Sequence, residues 1–400
     1  MLKRVFENHI SRWEVNPLRP TLRLLNVGVI GVGSRARSHI SVLLKLRDRY
    51  KLVAVCDVDV ARVRSIADEL GVKAYDDLEK MLSGEKLDAC LIAVQAEGHH
   101  VVADALAQKG VHILTETPVA ITVACADRMF KVAKENDVFL EVSENVPRWP
   151  QERLKQKIVA CGVLGEVESF YLSYVSGSYH GIAAVRSILK TEVKSLVGVF
   201  PTVDSVLERA EIDLLNGVSG VYEFNRNRGN YWEIVGTEAS LRGGELCFKN
   251  GRSLKISIET AEVDGVLRVI GARVSTQPEL FFQTPLNNYP LIDYDEVAVA
   301  DAWISLYDAI VYGKPLNYGF ENARRDLEVL MAVRDSALQN GVEVQLPLRG
   351  VTKYEEMIHE EFTKVYGLDP LELSPRHLKV RYVLPKRLWE LMYYGRVLQQ

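Results

Sequence analysis

Cysteine is scarce in this chain and poorly placed for metal or disulfide chemistry. Its 5 copies, at 56, 90, 125, 161 and 247, are scattered, odd in number and nowhere spaced Cys-x-x-Cys. Most fall in apolar runs, which suits buried thiols of a reducing compartment rather than a disulfide frame or a zinc site. An excess of positive charge is also missing: 49 Lys and Arg against 53 Asp and Glu give a net charge of −4, with no nucleic-acid footprint. No apolar run approaches transmembrane length, and residues 1–24 interleave charges and prolines without an apolar h-region. Neither a membrane span nor a secretory leader is expected, and the reading is a cytoplasmic protein. Repeats and low-complexity tracts are absent as well. What remains is ordinary globular composition, 48% hydrophobic and 26% charged over 400 residues, enough for about two domains.

The stretch that organises the rest runs from Leu25 to Ala36, LNVGVIGVGSRA. An apolar strand breaks into glycines and opens a helix. Gly31 permits the tight turn, Gly33 lets the backbone approach a pyrophosphate, and the small Ala36 lets helix pack closely on strand. The first helical turn, Ser34, Arg35 and Ala36, offers orphan N–H groups to a phosphate. Ala36, Ile40, Leu43 and Leu44 follow at helical spacing, and Leu52 to Cys56 forms an unbroken apolar run ending in Asp57. An acidic residue there accepts from a ribose diol; the alternative is that Asp57 caps the next helix. A carboxylate at this position repels a 2′-phosphate, so NAD is expected over NADP, although Arg35, Arg37 and Arg62 lie near enough in sequence to offset part of that repulsion.

Four regions are expected. Residues 1–22 form a polar arm with Pro17 and Pro20. Residues 23–146 alternate strand and helix patterns, as in a doubly wound parallel sheet of the Rossmann type. Thr122 is expected to cap a helix, and Gly71 and Gly110 to end two others. Residues 147–347 carry strand-like stretches at 166–175, 193–200, 218–226, 230–236, 245–249, 252–259 and 266–274, then two helices. They read as an α+β domain with a large, mainly antiparallel open sheet. Asn250-Gly251 marks a hairpin, with both turn positions wanting positive φ. Residues 348–400, with a helix near 352–366 and an aromatic run at 388–394, read as a C-terminal appendage.

In this order the parts resemble the Gfo/Idh/MocA family of NAD(P)-dependent sugar and polyol oxidoreductases. The resemblance rests on VGVIGVGSRA at 27–36, VCD at 55–57, DACLIAV at 88–94 with His99, GVHILTETP at 110–118, GVLG at 162–165, VGT at 235–237 and YGFENA at 318–323. It implies a Rossmann domain followed by a domain on an open mixed sheet, with a carbohydrate-like substrate held between them at the nicotinamide, and a homodimer or homotetramer. By family position Val94 and His99 line the cofactor pocket. Three departures stand out. The family usually has a lysine where this chain has Thr117, often an aspartate where it has Ser176, and Thr-Pro where it has Gln95-Ala96.

Oxidising a secondary alcohol requires hydride loss from carbon and proton loss from oxygen to a nearby base. A threonine hydroxyl holds its own proton too tightly to serve, so Thr117 orients or relays, or is only structural. His180 is the remaining base, retained from the family pattern, with ordinary packing as the alternative. Glu116 contacts the nicotinamide ribose or ends a strand. Trp149, Tyr179, Tyr231 and Trp232 can stack on a sugar face or fill core, and Ser176 and Thr117 can hold a substrate hydroxyl. No metal site is expected. The leading function is hydride transfer between nicotinamide and a hydroxyl-bearing carbon of a sugar, polyol or related cyclic compound. Two alternatives stay open: an NAD-dependent glycoside-cleaving enzyme with no net redox, and a catalytically silent cofactor-binding regulator or scaffold.

Overall fold

The structure, a computed structural model, describes residues 23–263, 265–378 and 381–396, so the arm expected at 1–22 lies outside it. Strands β1 (Leu25–Ile30), β2 (Tyr50–Cys56), β3 (Lys73–Tyr75), β4 (Ala89–Ile92), β5 (His112–Thr115) and β6 (Leu140–Val142) form one sheet in the order β3-β2-β1-β4-β5-β6. Every pair in it is parallel. Burial on both faces explains the unbroken apolar runs of β1 and β4. The sequence reading missed β3 and the following helix Leu78–Gly84, because three mostly exposed residues, KAY, show no alternation. Thr122 caps its helix as expected, its hydroxyl accepting from the Cys125 N–H at 3.3 Å. The strand order reverses between β1 and β4, and that is where an open parallel sheet leaves its crevice.

The second sheet takes β7 (Val167–Ser173), β8 (Val193–Val199), β9 (Val206–Leu214), β10 (Ser219–Asn225), β11 (Tyr231–Gly236), β12 (Ala239–Arg242), β13 (Glu245–Phe248) and β14 (Ser253–Lys255). A third, small sheet holds β15 (Ser257–Val263), β16 (Val266–Val274) and β17 (Leu280–Gln283), and β18 (Val344–Gln345) closes the nine-stranded order β14-β13-β12-β11-β7-β10-β9-β8-β18. Only β7 and β10 run parallel in that sheet; its other pairs are antiparallel.

Two local expectations need correction. The hairpin at Asn250-Gly251 exists, but Phe248 N–H donates to Arg252 O at 2.8 Å, which makes the loop one residue longer than a two-residue turn. Gly251, at φ 86°, is its left-handed position, and Asn250 is not among the positive-φ residues. The stretch read as one strand over 252–259 breaks at Ile256. Its N–H donates to Gly244 O at 2.8 Å, so the chain turns a corner there and passes from the second sheet to the third.

Helices join the sheets. Helix Tyr294–Tyr312 comes late in the chain yet packs on the first sheet, with Trp303, Leu306 and Tyr307 in one core with Leu25, Val27, Val29 and Leu43. Helix Gly319–Leu338 serves both sides: Phe320, Leu327 and Met331 enter the first sheet's core, and Val329, Leu330 and Val333 the second's. The stretch after residue 348 contributes Tyr354, Ile358, Phe362, Leu388, Leu391 and Met392 to the first of these cores. Those side chains, each nearly fully buried, bind it into the fold at about 1.5–3 kcal/mol apiece. Among the described residues no helix is long and apolar enough to cross a membrane.

Candidate active site

At the crevice, Gly31 sits at φ 83°, and a Cβ there would lie 2.6 Å from Ala93 O and 2.8 Å from Val94 N, at the end of β4. The turn thus has room for glycine alone. Gly33 is the opposite case, since a Cβ on it would meet nothing within 4 Å. That open space lies at the start of helix Ser34–Lys45, which no side chain caps and whose first turn holds no acidic residue. Uncapped N–H groups at the positive end of a helix dipole, beside open space, suit the pyrophosphate of a dinucleotide.

Asp57 stands beside this cradle. Its Oδ2 accepts from Val32 N–H at 2.8 Å and its Oδ1 from Asp59 N–H at 2.9 Å, with the Arg62 guanidinium 3.8 Å away. The next helix is capped by Asp59, whose carboxylate accepts from Arg62 N–H at 3.1 Å. The capping role weighed for Asp57 therefore belongs to its neighbour two residues on. Each Asp57 oxygen, with one hydrogen bond made, keeps acceptor capacity for a diol.

Glu116 is a buried junction. Its Oε1 accepts from Arg35 Nε at 2.8 Å and from His39 Nε2 at 2.5 Å, and its Oε2 from Thr117 N–H at 3.2 Å. Trp303 Nε1 donates to His39 Nδ1 at 3.1 Å, which leaves Nε2 to donate to the carboxylate. Burial pulls the Glu116 pKa up, but the His39 bond and the Arg35 guanidinium outweigh it and hold the group down at about 2. Arg35 also reaches Asp295 at 2.9 Å. Arg35 thus spends its side chain on Glu116 and the late helix, and Glu116 its own on Arg35, His39 and the Thr117 amide, so the contribution of Arg35 to the cradle is its backbone N–H.

His99 is almost fully buried, its ring nitrogens facing Val94 O at 3.0 Å and Val119 O at 3.3 Å. Burial lowers its pKa, and the ring braces the turn after β4.

On the other side of the crevice, His180 Nδ1 lies 2.6 Å from Glu144 Oε1. A carboxylate accepts, so Nδ1 carries the proton and Nε2 is left as the basic nitrogen. The imidazole keeps 16% of its surface exposed while Glu144 keeps 3%, a buried orienting group behind an accessible ring. Tyr179 packs on that ring at 4.4 Å between centroids. Its phenol is within hydrogen-bond reach of Thr117, and burial first of all raises its pKa well above the usual value, so it acts as a neutral donor. Tyr393, from helix Lys386–Tyr394, pairs with the same phenol. Tyr174 lies between His180 and Trp232, at 6.1 and 6.0 Å, and Trp232 Nε1 donates to Glu152 at 3.1 Å.

The remaining candidates are more peripheral. Ser176 accepts from Asn230 Nδ2 at 3.1 Å at an exposed position. Trp149 stands edge-on to Tyr294 at 5.1 Å, and its buried Nε1 has no partner. Asn145 likewise donates to Asp295 while its buried Oδ1 goes unpaired. Sequence reasoning missed Glu144 and Tyr393. The first sits just past β6, where nothing local marks a carboxylate that orients a ring; the second, over 200 residues from Tyr179, left no signal either. Among the described residues no cluster of His, Cys, Asp and Glu is arranged to hold a metal ion.

Residues 25–144 match the model of the GFO_IDH_MocA oxidoreductase family, an NAD-binding Rossmann fold. This segment is a Gfo/Idh/MocA dinucleotide-binding domain. The D-apiose dehydrogenase of Paraburkholderia graminis is 34% identical over 130 residues, which make up 32% of this chain and 34% of that enzyme. A glycosyl hydrolase family 109 protein of Shewanella sp. (strain ANA-3) is 24% identical over 245 residues, 58% of this chain and 51% of its own. The chain thus spans about a third to a half of the curated relatives it matches. The WlbA dehydrogenase of Bordetella pertussis, solved with NADH and UDP-GlcNAcA, has the same fold at a TM-score of 0.64 and 18% identity. It is covered along 100% of its chain by 82% of this one.

Proposed function

We propose that the chain is an NAD-linked oxidoreductase that moves hydride between nicotinamide and a hydroxyl-bearing carbon of a sugar, polyol or related cyclic compound. The observation that carries this reading is the Glu144–His180 pair facing the phenols and hydroxyls around Thr117. In the oxidative direction His180 Nε2 takes the hydroxyl proton, Glu144 holds the opposite ring N–H and balances the imidazolium, and Tyr179 and Thr117 hold the substrate oxygen by hydrogen bonds. NAD bound at the cradle supplies the hydride acceptor. Asp57 favours NAD over NADP by charge, and calorimetric titration of both cofactors tests this: tighter NADP binding contradicts it. The dehydrogenase name of the Paraburkholderia relative supports the redox reading.

The longer match to a family 109 glycosyl hydrolase, together with the threonine at 117, favours a second reading, in which bound NAD is reduced and reoxidised within one cycle that cleaves a glycoside. Incubation with NAD and a panel of free sugars, polyols and aryl glycosides separates the two. Steady growth of NADH absorbance supports the first; aglycone release without net NADH supports the second. Binding without either outcome leaves a regulator. A homodimer or homotetramer is the expected assembly, with Val197 and Val199 standing exposed on β8 of the large sheet. Light scattering at micromolar concentration giving the mass of one 45.0 kDa chain refutes that.

A further inference from the structure

The turn after β4 starts as a wall of the crevice, where Ala93 and Val94 abut the glycine turn at Gly31, and runs on into Ala96–Gly98. That wall is held from outside by the C-terminal segment. A Cβ on Gly98 would lie 2.6 Å from Cδ2 and 2.9 Å from Cε2 of Tyr382, so the aromatic ring lies directly on the glycine backbone. Gly98 itself has φ −97° and ψ −10°, a conformation open to any residue. Glycine is therefore required here for the room it leaves to the ring and not for its backbone freedom.

The adjacent Glu97 is fully buried, and its Oε1 accepts from Leu384 N–H at 2.5 Å and from the Tyr366 hydroxyl at 3.1 Å. A buried carboxylate is costly unless it is bonded; these two partners of Oε1 come from the helix Lys353–Tyr366 and the stretch after it, while Oε2 is buried without a partner. Farther along, Met392 O accepts from Arg334 at 2.7 Å and Leu391 O from the Tyr354 hydroxyl at 2.7 Å, while Tyr393 meets the Tyr179 phenol. One short stretch thus touches the wall beside the dinucleotide cradle and the hydroxyl cluster opposite. WlbA is matched along its whole length by 82% of this chain, which leaves about a fifth of this chain without a counterpart there.

We propose that the segment 381–394 braces this wall of the cofactor site, and that Tyr382, through Gly98, is a positioning residue that holds the turn after β4 closed on bound dinucleotide and slows its exchange. The proposal rests on the NAD reading given above. Its test uses the full chain loaded with NADH, whose fluorescence decay after mixing with excess NAD measures dissociation without need of a substrate. Tyr382→Ala is expected to speed dissociation about 10-fold or more. Tyr382→Phe is expected to release NADH at the wild-type rate, because the Tyr382 hydroxyl is buried without a partner and only the ring is used. If Tyr382→Ala does not fold, Gly98→Ala reaches the same contact from the other side, its methyl displacing the ring, and is expected to speed release equally. Wild-type release rates in Tyr382→Ala or Gly98→Ala overturn the proposal, as does fast release in Tyr382→Phe. Failure of the wild-type chain to bind NADH at all instead overturns the cofactor reading, and this proposal with it.

Discussion

The two sides of the crevice are built from different materials. The dinucleotide side works through backbone: an uncapped helix start, a glycine whose Cβ would strike Ala93, another whose Cβ would meet only space, and one carboxylate, Asp57, held by the Val32 amide of that turn and by the amide of Asp59. The opposite side works through side chains, with Glu144, His180, Tyr179, Thr117 and Tyr393 brought from four places in the chain. Backbone donors recognise what every dinucleotide shares, whereas side chains choose a proton path and a substrate. Damage to the first is therefore expected in affinity for cofactor, and damage to the second in turnover.

The sharpest break in that contrast comes from the histidine. Under the proposed function, His180→Ala lowers kcat by about 10²–10⁴-fold, the usual worth of a general base. Because the ring belongs to the far side, the NAD Kd read by calorimetry stays at the wild-type value.

Glu116 joins the two sides, and its effect is on stability. Its folded pKa, about 2, lies below the ordinary carboxylate value. A depressed carboxyl contributes stability that is fully present above its unfolded pKa and is lost as pH falls through the folded value, so the window is about pH 4.5 to 2. The contribution is at most about 3 kcal/mol. Urea unfolding across that window is expected to show the loss in the wild type and to show it blunted in Glu116→Gln.

Smaller effects sharpen the division. Asp57→Ala is expected to weaken NAD binding by about 1–3 kcal/mol, the cost of leaving diol hydroxyls unmet, with kcat at saturating NAD unchanged. Thr117→Ala is expected to cost about 0.5–1.5 kcal/mol in kcat/KM, one hydrogen bond and no more. A much larger loss assigns the threonine a proton-relay part that a single orienting bond does not explain.

Legibility followed the same line. The glycine turn, Asp57 and the strand–helix alternation were readable because each depends on residues close in sequence whose spacing is the mechanism. His180 was readable only as one of a family's retained residues, and its partner Glu144 was not, since nothing local distinguishes a carboxylate that ends a strand from one that orients a ring. Strand β3 and the break at Ile256 were missed for a related reason: an edge strand and a corner are decided by their pairing partners, β2 and Gly244, and not by the pattern of their own residues. The stretch after residue 348 showed a helix near 352–366 and an aromatic run at 388–394, but the core that both join is set by tertiary contacts that neither pattern carries.

The most direct test of the account is the pH dependence of kcat for the wild type and His180→Ala, measured on the sugar or polyol that the substrate panel finds to reduce NAD. The account predicts a wild-type rate that rises with pH through one ionisation and levels off, and a variant slower by about 10²–10⁴-fold in which that rise is gone. Equal rates with the same rise in both proteins contradict it, and remove His180 from the proton path.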